Sequence, residues 1–175
     1  MTKSFSPLTL LASRSILSAL TVLNLIFGGL IVVLFIASLL AEEWVMGALG
    51  VRPTGNNVML IQGMRLIMVM GIGSVPLAHV VLTRLRAIVD TVSLGDPFMV
   101  VNAERLQTIA WSLLGLELIH LVVGTVAAAV SSEANPLDIN WSFSMTGWLA
   151  VLLLFVLARV FDHGARMRED LEGTV

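Results

Sequence analysis

The chain reads as an all-α protein, a polytopic membrane four-helix bundle whose second and fourth helices continue as amphipathic cytoplasmic extensions. Three observations predict this. Apolar residues make up 57% and charged residues 13% of the 175-residue chain, whereas a soluble domain carries about a quarter charged residues. Four apolar runs reach the ~20 residues needed to cross a hydrocarbon core ~30 Å thick, and the mean hydropathy is +0.95. Lysine and arginine are also one-sided: Lys3, Arg14, Arg84, Arg86, Arg105, Arg159, Arg166 and Arg168 share a face, against Arg52 alone in an opposite loop, with Arg65 inside a span. By the positive-inside rule both termini and the central connection are cytoplasmic.

The first span covers roughly residues 16–40, with Ser18, Thr21, Asn24 and Ser38 as its only polar members. It is too long for the apolar region of a signal peptide and reads as a true span. Glu42 and Glu43 end it, and Arg52-Pro53-Thr54-Gly55-Asn56-Asn57 supplies loop chemistry. The second span, 58–82, contains Gly63, Gly71, Gly73 and Pro76, with a kink expected at the proline.

Beyond Leu82, the residues Leu85, Ile88, Val89 and Val92 recur at i, i+3, i+4 and i+7, the spacing of an amphipathic extension. Gly95 suits a left-handed helix end, Asp96-Pro97 the start of a fresh turn, and Asn102 a second helix N-cap. The loop thus runs over 83–107. The third span, 108–130, carries Glu117 and His120; the fourth, 143–161, starts beside Trp141 and Trp148, aromatic residues that suit a membrane interface. In the tail, 162–175, Arg166 with Asp170 and Arg168 with Glu172 stand at i, i+4. Val160, Gly164, Met167 and Leu171 form its seam, the expected partner of the Ile88 seam.

The chain has no cysteine, which excludes disulfides and thiolate metal sites. A net charge of −2 gives no electrostatic case for direct nucleic-acid binding. No phosphate loop or nucleophilic triad is visible, so no catalytic residue, metal ligand or cofactor is assigned and the protein is expected not to be an enzyme.

The motifs Leu85-Arg86-x-Ile88, Gly95-Asp96-Pro97-Phe98, Asn102-Ala103-x-Arg105-Leu106, Ile109-Ala110-Trp111 and the tail Gly164-Ala165-Arg166-x-Arg168-Glu169-Asp170-Leu171-Glu172-Gly173-Thr174-Val175 resemble the bacterial membrane family called domain of unknown function 2975. The resemblance covers essentially the whole chain. It implies four spans in a bacterial inner membrane, cytoplasmic termini and no assigned activity. It also implies association with a helix-turn-helix regulator of the Cro/repressor type. Val101 departs from the family, which is expected to carry Glu there.

Two groups of residues are candidates for function. Within the bilayer, Glu117 and His120 lie one helical turn apart, ~13 Å and ~18 Å from the cytoplasmic side at ~1.5 Å per residue. Ionisable groups at such depth mark function, pairing or a wet cavity. Asn24 reaches a similar depth and is a hydrogen-bond partner for Glu117. Arg65 either snorkels outward or pairs with Glu117 across a backbone gap of ~12 Å. A titrating or ligand-sensing pair and simple interhelical glue are both open readings here. His79 reads as structural, and Met59, Met64, Met68 and Met70 as packing residues.

At the cytoplasmic face the candidates are Arg86, Ile88, Asp96, Pro97, Phe98, Asn102, Arg105, Arg166, Arg168, Asp170 and Leu171. Charges on that side nearly balance, which suits protein recognition better than phosphate. The resulting expectation is a regulatory or scaffolding membrane protein whose partners are the lipid bilayer, further copies of itself and a cytoplasmic transcription regulator. The alternative is a small transport or proton-conducting component using Glu117, His120 and Arg65.

Overall fold

The computed structural model describes residues 7–50, 58–94, 98–131 and 144–172, with side chains from Ala12 onward except those of Glu169, Leu171 and Glu172. Five helices form in order: α1 (Pro7–Leu40), α2 (Glu42–Ala48), α3 (Val58–Ser93), α4 (Val100–Val130) and α5 (Met145–Glu172). Four of them are long and apolar enough to cross a membrane, and only 6–11% of each apolar window is buried inside the protein. The remaining apolar faces, such as Phe27, Leu30 and Val33 of α1 or Leu152, Leu153 and Val156 of α5, need an apolar solvent, and a bilayer supplies it.

Helix ends follow local chemistry. The apolar runs stop at Leu40 and Val130 and restart at Val58, as the sequence pattern requires. The short helix α2 falls where a loop is expected. Glu42 and Glu43 occupy its first turn, where the helix dipole favours anions, and Val45 and Met46 turn inward, 1% and 4% exposed. Met46 packs with Leu60 of α3. Pro76 lies inside a continuous α3; beside it, the Asn24 amide of α1 donates to the Val75 carbonyl at 3.1 Å.

The long helices pack in series: α1 on α3, α3 on α4, and α4 on α5. No comparably extended contact joins α1 to α4 or α5, or α3 to α5, among the described residues. The bundle is therefore open, with α1 and α5 at its edges. Gly28 lets α1 approach α3 closely, since a Cβ there would stand 2.9 Å from both Val75 methyls. At the end of α3 where Val58 lies, Val130 of α4 covers Gly63 in the same way.

The extensions of the second and fourth spans are present, as α3 runs to Ser93 and α5 to Glu172. Their expected mutual seam is not. The helix α4 stands between them, Val160 and Met167 are 56% and 51% exposed, and Ile88 and Val89 are half-buried on α3. Leu171 is a side chain outside the described residues. The tail packs instead on Phe98, whose ring centroid lies 5.1 Å from that of Phe161 and whose Cδ1 faces Gly164.

Candidate functional site

The last turns of α3 and the first of α4 build a polar network. Asn102 is the third residue of α4 and not its cap; Met99 holds that place in an extended conformation. The reason is that the amide of Asn102 is needed inside. Fully buried at 0% exposure, it donates to the Thr91 hydroxyl at 2.8 Å, and that hydroxyl lies 2.8 Å from the Ile88 carbonyl. The Arg105 guanidinium then donates to Asn102 Oδ1 at 2.9 Å and to the Ala87 carbonyl at 3.0 Å. One cation thus ties a side chain of its own helix to the backbone of the preceding one. Arg105 Nε is buried without a partner among the described residues. On the other side of α3, Arg14 of α1 pairs with Asp90.

Around this network the surface is mixed. Arg84, Leu85 and Arg86 are exposed on α3. Leu94 is 84% exposed and Met99 39%, although both lie on the far side of the network from the apolar spans. Arg166 reaches back one turn to Asp162 at 3.2 Å; Arg168 and Asp170 are exposed. Asp96 and Pro97 lie outside the described residues.

A groove of about 1290 Å³ runs along the α4–α5 seam at this end. Its α4 wall carries Glu104 and Gln107, and its α5 wall Phe155, Arg159 and Met167. Trp111 and Phe155, edge to face at 5.2 Å, stand where the groove runs out onto the apolar span.

The intramembrane candidates are not gathered into one place. Asn24 is spent on Val75 and not on Glu117. Arg65 donates to the Ser38 carbonyl and to Glu42 Oε2, the latter at 2.7 Å. Its side chain therefore runs toward the α1–α2 corner, in the snorkelling direction, and away from Glu117. Glu117 is half-buried and His120 exposed, and no hydrogen bond or ion pair joins either to the other.

Glu117 instead presses its carboxylate against Gly147 of α5, so closely that any Cβ at that position would clash with Oε1. Gly147 lies in the first turn of α5, its N–H 3.1 Å from the Ser144 hydroxyl. Val130 is thirteen residues beyond Glu117 on α4, so α5 begins roughly 20 Å short of the α4 terminus at ~1.5 Å per residue.

Two features are not evident from the sequence pattern. The contact of Glu117 with Gly147 joins elements whose register is set by packing. The role of Thr91 has no clear signal in the sequence: it is one hydroxyl in a turn shared with Ile88, Val89 and Asp90.

Among known proteins, the model of a family described as protein of unknown function (DUF2975) matches residues 53–175. No curated protein and no solved structure matches the chain.

Proposed function

The chain belongs to the DUF2975 family, and on that premise we propose that it is a non-enzymatic regulatory or scaffolding protein of a bacterial inner membrane. Its loop and tail face the cytoplasm, following the eight-to-one distribution of basic residues, and bind a helix-turn-helix transcription regulator. The observation that carries this reading is the exposure of Leu94 and Met99 beyond a buried network that fixes the ends of α3 and α4. Apolar side chains held out on a braced polar end suit a protein contact, and the exposed Arg84 and Arg86 of α3 and Asp170 of α5 provide charges of both signs.

The test is co-purification of a co-expressed Cro/repressor-type regulator with the full chain and with the double variant Leu94→Asp, Met99→Asp. The native chain retains the regulator and the variant loses it. Equal retention by both, or retention by neither, defeats the reading.

A second reading, a transport or proton-conducting component, draws support from Glu117, a carboxylate within a span at the start of α5. The attachment of Arg65 to Glu42 takes that residue out of it. Proton flux in liposomes that falls on Glu117→Gln supports this reading, and no flux in the native protein removes it.

A further inference from the structure

We propose that the α4–α5 groove is a headgroup site for an aminophospholipid, phosphatidylethanolamine in chemical class, with the phosphate on Arg159 and the primary ammonium on Glu104.

The groove carries five titratable side chains: Glu104 from α4 and Arg159, Asp162, His163 and Arg166 from α5. Asp162 and Arg166 neutralise one another at 3.2 Å. Arg159 and Glu104 are both exposed and line the same groove, yet no ion pair joins them among the described residues. Beside the imidazole of His163, the site therefore presents one permanent cation and one carboxylate that no ion pair joins, which is the charge pattern of a zwitterion with its signs reversed. An anionic headgroup would satisfy Arg159 and meet Glu104 as a like charge. A choline headgroup matches the charges but has no N–H to donate to Glu104.

Lipid is favoured over a protein helix by where the groove leads. It ends at Phe155 and Val156, and Val156 and Leu152 are 53% and 62% exposed on the apolar surface of α5. A partner helix lying along it would enter hydrocarbon, whereas acyl chains continue there naturally. The Trp111–Phe155 pair marks that boundary. Basic pockets between helices at the membrane surface are a recurrent form of headgroup recognition; here an acidic member narrows the choice. The site uses neither Leu94 nor Met99, so it stands or falls separately from the regulator contact.

The experiment is native mass spectrometry of the full detergent-solubilised chain titrated with phosphatidylethanolamine, phosphatidylcholine and phosphatidylglycerol of one chain composition. Phosphatidylethanolamine binds about tenfold tighter than phosphatidylcholine, the size of one charge-assisted hydrogen bond. Glu104→Gln weakens phosphatidylethanolamine more than phosphatidylcholine and so narrows that preference, because the charge-assisted N–H bond is lost from one lipid and only the charge attraction from the other, while Arg159→Gln weakens both lipids. Stepwise N-methylation of the headgroup against the native chain lowers affinity progressively, a check that needs no variant to fold. Equal binding of phosphatidylethanolamine and phosphatidylcholine, a preference for phosphatidylglycerol, or indifference to methylation each overturns the proposal.

Discussion

Asn102 is the residue on which the aqueous end of the protein turns. Both its amide nitrogen and its oxygen are used, by Thr91 and Arg105, and it is wholly buried. Truncation takes one hydrogen bond each from Thr91 and Arg105, one of them to a cation, at a cost of about 1–3 kcal/mol. Asn102→Ala is accordingly expected to lower the unfolding midpoint in a detergent denaturation series, and Thr91→Val to do so by less. The sequence singles out Asn102 but for the wrong duty: an Asn ahead of Glu104 and Arg105 has the look of a cap, and only the neighbouring helix reveals an internal bridge. Arg65 is a similar case. Its charge within an apolar run is legible, but its partner is not, because the helix α2 that holds Glu42 beside it is a seven-residue element too short for periodicity to detect. Arg65 serves two acceptors and Glu42 one, so Arg65→Gln is expected to destabilise more than Glu42→Gln in the same denaturation series. A larger loss from Glu42→Gln would mean that the Ser38 contact contributes nothing.

At the level of elements, the four long apolar helices are readable because hydropathy reports burial in lipid directly; the ends at Leu40, Val58 and Val130, all on the side away from the central connection, follow from composition alone. The pairing of elements is not. Of the spaced Leu85, Ile88, Val89 and Val92, the last three are half-buried on α3 while Leu85 is exposed, and nothing local says whether α4 or α5 packs on that helix. The tail takes Phe98 as its anchor. Phe98→Ala is therefore expected to speed amide hydrogen exchange across residues 160–168, with Leu85→Ala as a control that leaves those amides unchanged. A chain without cysteine also offers a clean background for pairs of introduced thiols. Trp111→Cys with Phe155→Cys, whose rings lie 5.2 Å apart, should be joined within one chain by a short bifunctional reagent. Phe27→Cys with Leu152→Cys, on the exposed faces of α1 and α5, should not. Efficient intrachain joining of the second pair would close the bundle.

For the whole molecule, crossing by all four long apolar helices would put both ends in one compartment, and the proposed reading makes it the cytoplasm from the distribution of basic residues. Reporter fusions at the N- and C-termini are expected to report the cytoplasm alike; opposite reports would require an odd number of crossings and a different protein. The glycine at 147 and the carboxylate at 117 illustrate what the sequence withheld at this scale: they are thirty residues apart and meet only because α5 starts part of the way down α4.

The arrangement of helices in series has a consequence for biogenesis. Each long helix rests chiefly on the one made just before it, so every hairpin can settle as soon as it leaves the insertion machinery, without waiting for a distant segment to arrive. Chains whose contacts are mostly between sequence neighbours reach their final state quickly. A nascent polypeptide halted after Val130 should already hold its first three crossings in their mature places, and α5 would be added last, like a plank nailed to the edge of a finished deck.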